Sequence, residues 1–280
     1  MKIWLGSNGG GELRAPEDAL VPVTDHGLTV GDGVFETLKA EGGSVFAVTR
    51  HLQRLARSAA GLGLPAPDLD VVRQAIAQTV AANDQHDFAR VRVTYTAGQA
   101  PLGSERAGAD PTLVIAVGPA ARPAPETAVI TLPWTRNERS ALAGLKTTSY
   151  AENVLALARA KAQGATEALF ADTTGRLSEG TGTNVFLVSQ GQIRTPALTA
   201  GCLAGVTRSL VLEWTEADEA DLPYQILSTA EEIFLTSTLR DVQAVISVNG
   251  LPVGDGTMGP VAKDVRALFR SRSVENADPR

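Results

Sequence analysis

Apolar and polar residues alternate along Ala89–Thr96. The polar positions are Arg90, Arg92 and Thr94, and the apolar positions are Val91, Val93 and Tyr95. Successive side chains of a β-strand point to opposite faces, so the pattern predicts a half-buried strand with two arginines on one face. Two explanations stay open for these arginines, a solvated edge strand or a strand that binds an anion.

Five other segments are predicted to be helical. In the first, Leu52, Leu55 and Ala59 share one face, with Thr49 as the expected N-cap and Gly61 at the end. The five predicted helices are Arg50–Ala60, Asp68–Ala82, Ala151–Gln163, Val206–Trp214 and Pro260–Ser271.

Short apolar runs predict the remaining strands, and Glu41-Gly42-Gly43 is typical of a hairpin turn between the first two. These strands are Val34–Ala40, Ser44–Ala47, Pro111–Val117, Ala128–Leu132, Glu167–Ala171, Val185–Ser189, Ile233–Thr236 and Val242–Val248. Strands and helices are mixed without a strict βαβ alternation, which favours an α+β fold over a doubly wound sheet.

The clearest change of composition lies at Gly118–Pro125, which contains Pro119, Pro123 and Pro125 among small residues. Such a stretch is typical of a semi-rigid connector. It predicts a small N-terminal domain over residues 1–118, a linker over 119–125 and a larger C-terminal domain over 126–280.

Composition narrows the possible functions. A net charge of −6 argues against binding of nucleic acid or an anionic membrane through bulk attraction. No apolar run reaches the roughly 18 residues of a membrane span, and no leader peptide is visible, so a cytoplasmic protein is expected. A single cysteine, Cys202, excludes an internal disulfide, and the spacing of the three histidines predicts no metal site.

Lysine is scarce, with Lys2, Lys39, Lys146, Lys161 and Lys263 as the only examples. Lys146 follows an apolar lead-in and precedes a predicted helix, in the stretch from Leu145 to Ala156. A lysine there either extends its amine to solvent or is held in a pocket. In a pocket its amine loses hydration, its pKa falls and it becomes a nucleophile towards carbonyl groups.

Two later segments carry further candidates. Glu179 ends one segment, and Thr181-Gly182-Thr183 leads from it into an apolar strand. This is either a turn beside a solvated glutamate or a floor of small residues beneath a flat ligand. The second segment is Gly205-Val206-Thr207, where a helix is expected to begin, and exposed amides at a helix N-terminus can bind an anion.

These segments together resemble the class IV aminotransferases, the fold-type IV enzymes that use pyridoxal 5′-phosphate (PLP). The resemblance extends from Asp25-His26-Gly27 through His51-Leu52-Gln53-Arg54-Leu55, Lys146 and Glu179 to Thr236-Ser237-Thr238, with the motifs in the family's order. It implies the two-domain fold-type IV architecture, with PLP bound by the C-terminal domain.

The resemblance also implies roles for single residues. Lys146 would bind the cofactor covalently and, once released, carry the Cα proton, and Glu179 would keep the pyridine nitrogen protonated. The other expected cofactor-binding residues are Arg54, Tyr150, Leu203, Gly205, Val206, Thr207 and Thr238. One residue fewer separates Lys146 from Tyr150 than in the branched-chain enzymes. The expected substrate-binding residues are Phe35, Arg90, Arg92, Thr181, Gly182, Thr183 and Arg240.

The substrate is less constrained than the chemistry. Bacterial D-amino-acid aminotransferases carry an Arg-x-His pair after the strand that ends here near Gly98, and this chain has Pro101-Leu102-Gly103-Ser104 instead. Branched-chain enzymes have an arginine on the strand itself, which Arg92 matches. Arg240 either serves a second substrate carboxylate or pairs with Asp241.

Three functions stay open. The favoured one is a transaminase that transfers an amino group between an amino acid, preferably a D-amino acid, and a 2-oxo acid. The alternative is an aminodeoxychorismate lyase that forms 4-aminobenzoate and pyruvate, and the third is a non-catalytic cofactor-binding or interaction protein. The resemblance implies a homodimer in which a loop of one subunit completes the other's active site.

Overall fold

The computed structural model describes residues 1–83 and 86–280, which form two compact units. The first unit contains Met1–Arg122, Leu145–Tyr150 and Asn276–Arg280, and the second contains Pro123–Gly144 and Ala151–Glu275. The sequence predicted one C-terminal domain over residues 126–280. Two pieces of that range, Leu145–Tyr150 and Asn276–Arg280, instead belong to the first unit. Hydrogen bonds between residues far apart in the chain hold them to the first unit, such as that from the Ala47 amide to the Ala277 carbonyl at 2.7 Å.

The first unit is built on an antiparallel sheet of six strands in the order β2-β1-β6-β5-β3-β4. Its elements in chain order are β1 (Ile3–Ser7), β2 (Gly10–Arg14), α1 (His26–Thr29), β3 (Gly33–Glu41), β4 (Ser44–Val45), α2 (Val48–Gly61), α3 (Leu69–Ala81), β5 (Phe88–Thr96) and β6 (Thr112–Pro119). Strands β1 and β2 and helix α1 lie outside the elements that the sequence pattern predicted.

The apolar face of β5 lies in the core of this unit, as its alternation predicted. Val91, Val93 and Tyr95 are fully buried, and the predicted apolar face of α2 packs in the same core. Since β5 lies between β6 and β3, the interpretation of its arginines as residues of a solvated edge strand is wrong.

The start of α2 also differs from the prediction. Helix α2 begins at Val48, and its N-cap is Ala47, whose φ of 55° is in the left-handed region. Thr49 lies within the first turn, where its amide and hydroxyl donate to the Asp278 carboxylate at 2.8 and 2.6 Å. The prediction of Thr49 as N-cap is therefore wrong, because its partner comes from the distant C-terminus.

The second unit contains nine strands, in the order β12-β11-β10-β13-β14-β7-β8-β9 with β15 paired to β14. Its elements are β7 (Glu126–Arg136), α4 (Ala151–Ala162), β8 (Glu167–Asp172), β9 (Leu177–Gly180), β10 (Asn184–Ser189), β11 (Gln192–Pro196), α5 (Val206–Trp214), β12 (Asp218–Ala220), β13 (Glu232–Ser237), β14 (Asp241–Val248), β15 (Leu251–Pro252) and α6 (Pro260–Glu275). Short 3₁₀ turns lie at Pro16–Asp18, Leu198–Ala200 and Tyr224–Ser228.

Parallel and antiparallel strand pairs occur together in this second sheet. Strand β7 runs parallel to both β8 and β14, whereas β10, β13 and β14 pair in antiparallel fashion. The predicted α+β class is confirmed, and α5 has the predicted bounds. Within the described residues no helix combines the length and apolar character that a membrane crossing needs.

Candidate active site

In the first unit, Lys146 lies on a short segment held between β3 and α2. Its carbonyl accepts from the Phe35 amide at 2.9 Å, and its amide donates to Ser58 Oγ at 3.2 Å. The side-chain Nζ of the half-buried Lys146 lies 4.4 Å from the centroid of the Phe35 ring. The two backbone hydrogen bonds fix the main chain from which the Lys146 side chain extends towards Phe35.

Phe35 also contacts two further candidates. The guanidinium carbon of Arg92 lies 3.4 Å from the Phe35 ring centroid, and Arg92 Nε donates to Thr94 Oγ1 at 3.2 Å. The ring of Tyr150 meets Phe35 edge-on at a centroid distance of 5.3 Å. Burial lowers the pKa of Arg92 to about 10, so this guanidinium stays charged at neutral pH. Three predicted residues, Lys146, Arg92 and Tyr150, therefore meet at the ring of a fourth, Phe35.

Arg90 shares a strand face with Arg92 but not its environment. It is exposed, whereas Arg92 is half-buried. Arg90 lies opposite Lys39 in the pairing of β5 with β3, and Arg92 lies opposite Thr37. The two arginines on one strand face thus differ in solvent exposure.

Arg54 is anchored by a carboxylate that the sequence pattern did not predict as part of the site. Its Nε and Nη2 donate to the two oxygens of Glu36 at 2.8 and 2.7 Å, and His51 Nδ1 lies 2.7 Å from Glu36 Oε2. All three residues are buried. Burial alone would raise the pKa of Glu36, but Arg54 and His51 outweigh it and hold that pKa well below its ordinary value. A lone glutamate in the apolar run from Val34 to Leu38 was the available signal, because a buried carboxylate needs partners.

In the second unit, Glu179 lies on β9 with both carboxylate oxygens near donors. Oε2 accepts from the Leu203 amide at 2.9 Å, and Oε1 lies 3.7 Å from Arg136 Nη2. Arg136 Nη1 in turn donates to Glu152 Oε2 at 2.6 Å and to Asn153 Oδ1 at 3.0 Å. The interpretation of Glu179 as a solvated turn residue is wrong, because its carboxylate is mostly buried and held.

The start of α5 has the features of an anion site. Gly205 is the N-cap, and a Cβ at this position would lie 2.0 Å from Asn184 Oδ1, so only glycine fits. Glycine has no side chain with which to cap the first turn, which leaves that role to a bound group. Within the described residues, the buried Thr236 Oγ1 on β13 has no hydrogen-bond partner. Thr238 lies in the turn that follows β13.

The Thr181–Thr183 turn is held by Glu167, the first residue of β8, and Arg240 is held by Thr166, the residue before it. Glu167 accepts from the Thr181 amide at 2.9 Å, from the Thr181 hydroxyl, and from the Thr183 hydroxyl at 3.1 Å. Arg240 donates to the Thr166 carbonyl at 3.0 Å, to Thr166 Oγ1 at 3.1 Å and to Gln243. Glu167, like Glu36, was missed although it precedes an apolar run.

A model of the family described as amino-transferase class IV matches residues 33–248. The chain is a class IV aminotransferase. As predicted, it is therefore an enzyme of the fold-type IV architecture whose cofactor is PLP.

The class IV relatives span the chain almost completely. A Methanocaldococcus jannaschii protein assigned provisionally as a branched-chain-amino-acid aminotransferase is 32% identical over 280 residues, which cover 96% of each chain. The D-alanine aminotransferase of Bacillus licheniformis is 28% identical and covers 93% of this chain and 94% of its own. The crystal structure of the Escherichia coli branched-chain amino acid aminotransferase superposes with a TM-score of 0.89 at 29% identity, covering 96% of this chain and 93% of that one.

The residues present fit the cofactor of a class IV aminotransferase. The second unit offers a glycine-started helix without a side-chain cap, a buried hydroxyl with no partner within the described residues, and a held carboxylate. A phosphate suits the first two features, and a pyridine nitrogen suits the third. Within the described residues no group of three or more histidine, cysteine, aspartate or glutamate side chains could hold a metal ion.

Proposed function

We propose that this transaminase acts on amino acids whose carboxylate is bound by Arg92 while Lys146 moves the Cα proton. The observation that carries the proposal is the contact of both side chains with Phe35, at 3.4 Å for Arg92 and 4.4 Å for Lys146. A base for the Cα proton and a cation for the adjacent carboxylate are the two groups that an amino-acid substrate needs.

The cofactor roles are divided among the residues that the sequence singled out. Bound PLP supplies an electron-withdrawing ring that stabilises the negative charge left on Cα. Lys146 holds the cofactor covalently and, when released, takes and returns the proton at Cα. Glu179 keeps the ring nitrogen protonated through a carboxylate that the Leu203 amide orients. Leu203 and Tyr150 are the further residues that would contact the cofactor, as the family resemblance implies.

The phosphate is bound by a second set of groups. Arg54 supplies a guanidinium whose orientation is fixed by its two hydrogen bonds to Glu36. The family resemblance assigns the same role to the amides of Val206 and Thr207 at the start of α5 and to the hydroxyls of Thr207 and Thr238. Phe35 and the Thr181–Thr183 turn are the residues that the family resemblance assigns to the substrate.

The donor is the finer part of the proposal. The sequence favours a D-amino acid, and a relative named D-alanine aminotransferase supports this donor. A branched-chain amino acid is the second candidate, supported by Arg92 and by relatives named branched-chain-amino-acid aminotransferase. Arg240 is less suited to a substrate carboxylate than Arg92, because two of its nitrogens already donate to Thr166.

The quaternary state that we propose is a homodimer. The first unit exposes Leu20, Val23, Leu28 and Leu102. The Ala100 amide donates to the Thr24 carbonyl at 3.2 Å, which brings the segments of Val23 and Leu102 together. Exposed apolar patches of this kind favour association with another surface. A cytoplasmic location stays a prediction from the sequence.

The test begins with the purified holoenzyme, which is expected to be yellow. Borohydride reduction followed by peptide mapping is expected to place the cofactor on Lys146, and a label on Lys39 or Lys161 would contradict the assignment. A panel of D- and L-amino acids, each with a 2-oxo acid acceptor, then identifies the donor by the amino product formed. Aminodeoxychorismate is tested beside them, and formation of 4-aminobenzoate with pyruvate would favour the lyase.

A further inference from the structure

Two adjacent residues, Thr166 just before β8 and Glu167 at its first position, hold two turns from distant parts of the chain. Glu167 binds the turn of Thr181–Thr183, and Thr166 binds Arg240, which belongs to the turn after β13 that also contains Thr238. The proposed function assigns the first turn to the substrate and the second to the cofactor phosphate.

We propose that Glu167 is a positioning residue for substrate binding and that Arg240 is a positioning residue for the phosphate turn. The inference rests on the proposed function and deepens it, since it separates the support of the two ligand-binding turns. It also gives Arg240 a different role from direct contact with substrate.

The Glu167 carboxylate is placed to fix the whole substrate turn. It is buried and accepts from the Thr181 amide, from both threonine hydroxyls and from the Ala168 amide at 3.0 Å. Asn153 Nδ2 donates to the Thr181 carbonyl at 2.7 Å, so both ends of the Thr181 residue are held. A buried carboxylate is costly to the fold unless its hydrogen bonds are satisfied. Four donors on one side chain meet that requirement, and they also restrict the turn to one conformation.

These hydrogen bonds also set the polarity of the turn. A hydroxyl has one proton, and Thr181 and Thr183 both give theirs to Glu167. Their side-chain oxygens therefore keep only lone pairs for another partner. Such a turn accepts from donor groups of a substrate and leaves the substrate carboxylate to a cation.

Arg240 holds the phosphate turn, the turn after β13 that contains Thr238, through hydrogen bonds to Thr166. Its two Nη atoms donate to the carbonyl and hydroxyl of Thr166, and its own amide donates to Ser237 Oγ at 3.4 Å. Burial lowers the pKa of Arg240, and the charge of Glu167 opposes that effect. Thr238 lies between Ser237 and Arg240 in this turn, so anchoring the guanidinium fixes the position of the Thr238 hydroxyl.

The test compares holoenzymes with Glu167→Gln, Arg240→Met and Arg240→Lys. Glutamine keeps the size of Glu167 but offers one acceptor oxygen and adds a donor, so it cannot satisfy the same groups. Losing hydrogen bonds to a charged group predicts a KM for the amino donor raised about tenfold or more, with the PLP dissociation constant within about threefold of wild type. Arg240→Met is expected to raise the PLP dissociation constant about tenfold, and Arg240→Lys to recover part of this loss.

Glu232→Gln is the matched control, because Glu232 also accepts two amides, those of Val261 and Ala262 at 3.0 and 2.8 Å, but at the start of α6. It is expected to change only the thermal midpoint. PLP affinity is measured on the apoprotein by fluorescence titration, which does not depend on turnover. Should Glu167→Gln fold poorly, Glu167→Asp keeps the charge but draws the carboxylate back from Thr181 and Thr183, and it is expected to raise KM likewise.

The positioning role is overturned if Glu167→Gln lowers the thermal midpoint but leaves KM unchanged, as in the control. It is also overturned if both variants raise KM and the PLP dissociation constant together. Failure of the proposed function is a different result: wild type itself would then accept none of the amino-acid donors, or would form 4-aminobenzoate and pyruvate.

Discussion

Glu36 and Arg54 form a buried ion pair in which both carboxylate oxygens accept from the guanidinium, at 2.8 and 2.7 Å. The pair uses Arg54 Nε and Nη2, and it gives the guanidinium one fixed plane. Breaking such a pair by removing one partner leaves the other charge buried and costs about 3–5 kcal/mol of the free energy of unfolding. Glu36 therefore stabilises the fold and orients the arginine proposed to bind phosphate.

The first prediction concerns the pH dependence of stability. The folded-state pKa of Glu36 is depressed, so its contribution to the free energy of unfolding is fully present above the unfolded pKa and is lost as the pH falls towards the folded value. Urea unfolding of apoprotein at pH 7, 5, 4 and 3 is expected to show stability falling below about pH 4.5 in wild type. Glu36→Gln is expected to be less stable at pH 7 and to lose less on acidification. Equal acid slopes for the two proteins would refute this assignment.

The second prediction separates turnover from cofactor binding. Glu179→Gln is expected to retain PLP but to slow turnover strongly, because a neutral amide does not hold the proton on the ring nitrogen. Arg54→Ala is expected to do the reverse, with about 2–5 kcal/mol lost from cofactor affinity. Steady-state kinetics measure the turnover rate, and equilibrium dialysis of PLP measures the cofactor affinity. Loss of cofactor to the same extent in both variants would contradict this division of roles.

The sequence predicted those parts of the molecule that local patterns determine. The alternation along Ala89–Thr96 gave both the buried face of β5 and the arginines opposite it, because a strand has a period of two side chains. The bounds of α5 followed from a glycine and an apolar run. Motif order likewise identified Lys146, Arg54 and Glu179 as candidates.

The partners of those residues could not be predicted because they come from distant segments. Glu36 is 18 residues from Arg54, and Asp278 is 229 residues from Thr49. The Thr181 turn and the Arg240 turn share a support at Thr166 and Glu167 only after the strands have assembled. A single sequence shows that a buried glutamate needs donors, but not which donors it finds.

The third prediction concerns the homodimer. Leu28 is exposed on α1, and replacing it by Asp places a charge on the proposed apolar surface. Light scattering at micromolar concentration is expected to give twice the chain mass for wild type and a larger monomer fraction for Leu28→Asp. Leu251→Asp is the control, since Leu251 is also exposed but lies on β15 of the second unit. A wild-type monomer would exclude the proposed homodimer, and equal effects of both substitutions would move the interface away from Leu28.

The fourth prediction concerns Arg92, the proposed partner of the substrate carboxylate. Its guanidinium lies 3.4 Å from the Phe35 ring centroid and stays charged at neutral pH, since its pKa is about 10. Arg92→Ala is expected to raise KM for amino-acid donors by about one to two powers of ten, the equivalent of about 1.5–3 kcal/mol for a charged hydrogen bond. Primary amines without a carboxylate are expected to react as in wild type.

Arg92→Lys is expected to restore little of the lost affinity, because a point charge does not replace the planar guanidinium or its stacking on Phe35. Arg90→Ala is the comparison on the same strand face. Because Arg90 is exposed, the KM of this variant for amino-acid donors is expected to rise less than that of Arg92→Ala. Initial rates with a D-amino acid, a branched-chain amino acid and a primary amine measure all three variants, and unchanged amino-acid kinetics in Arg92→Ala would transfer the role to Arg90.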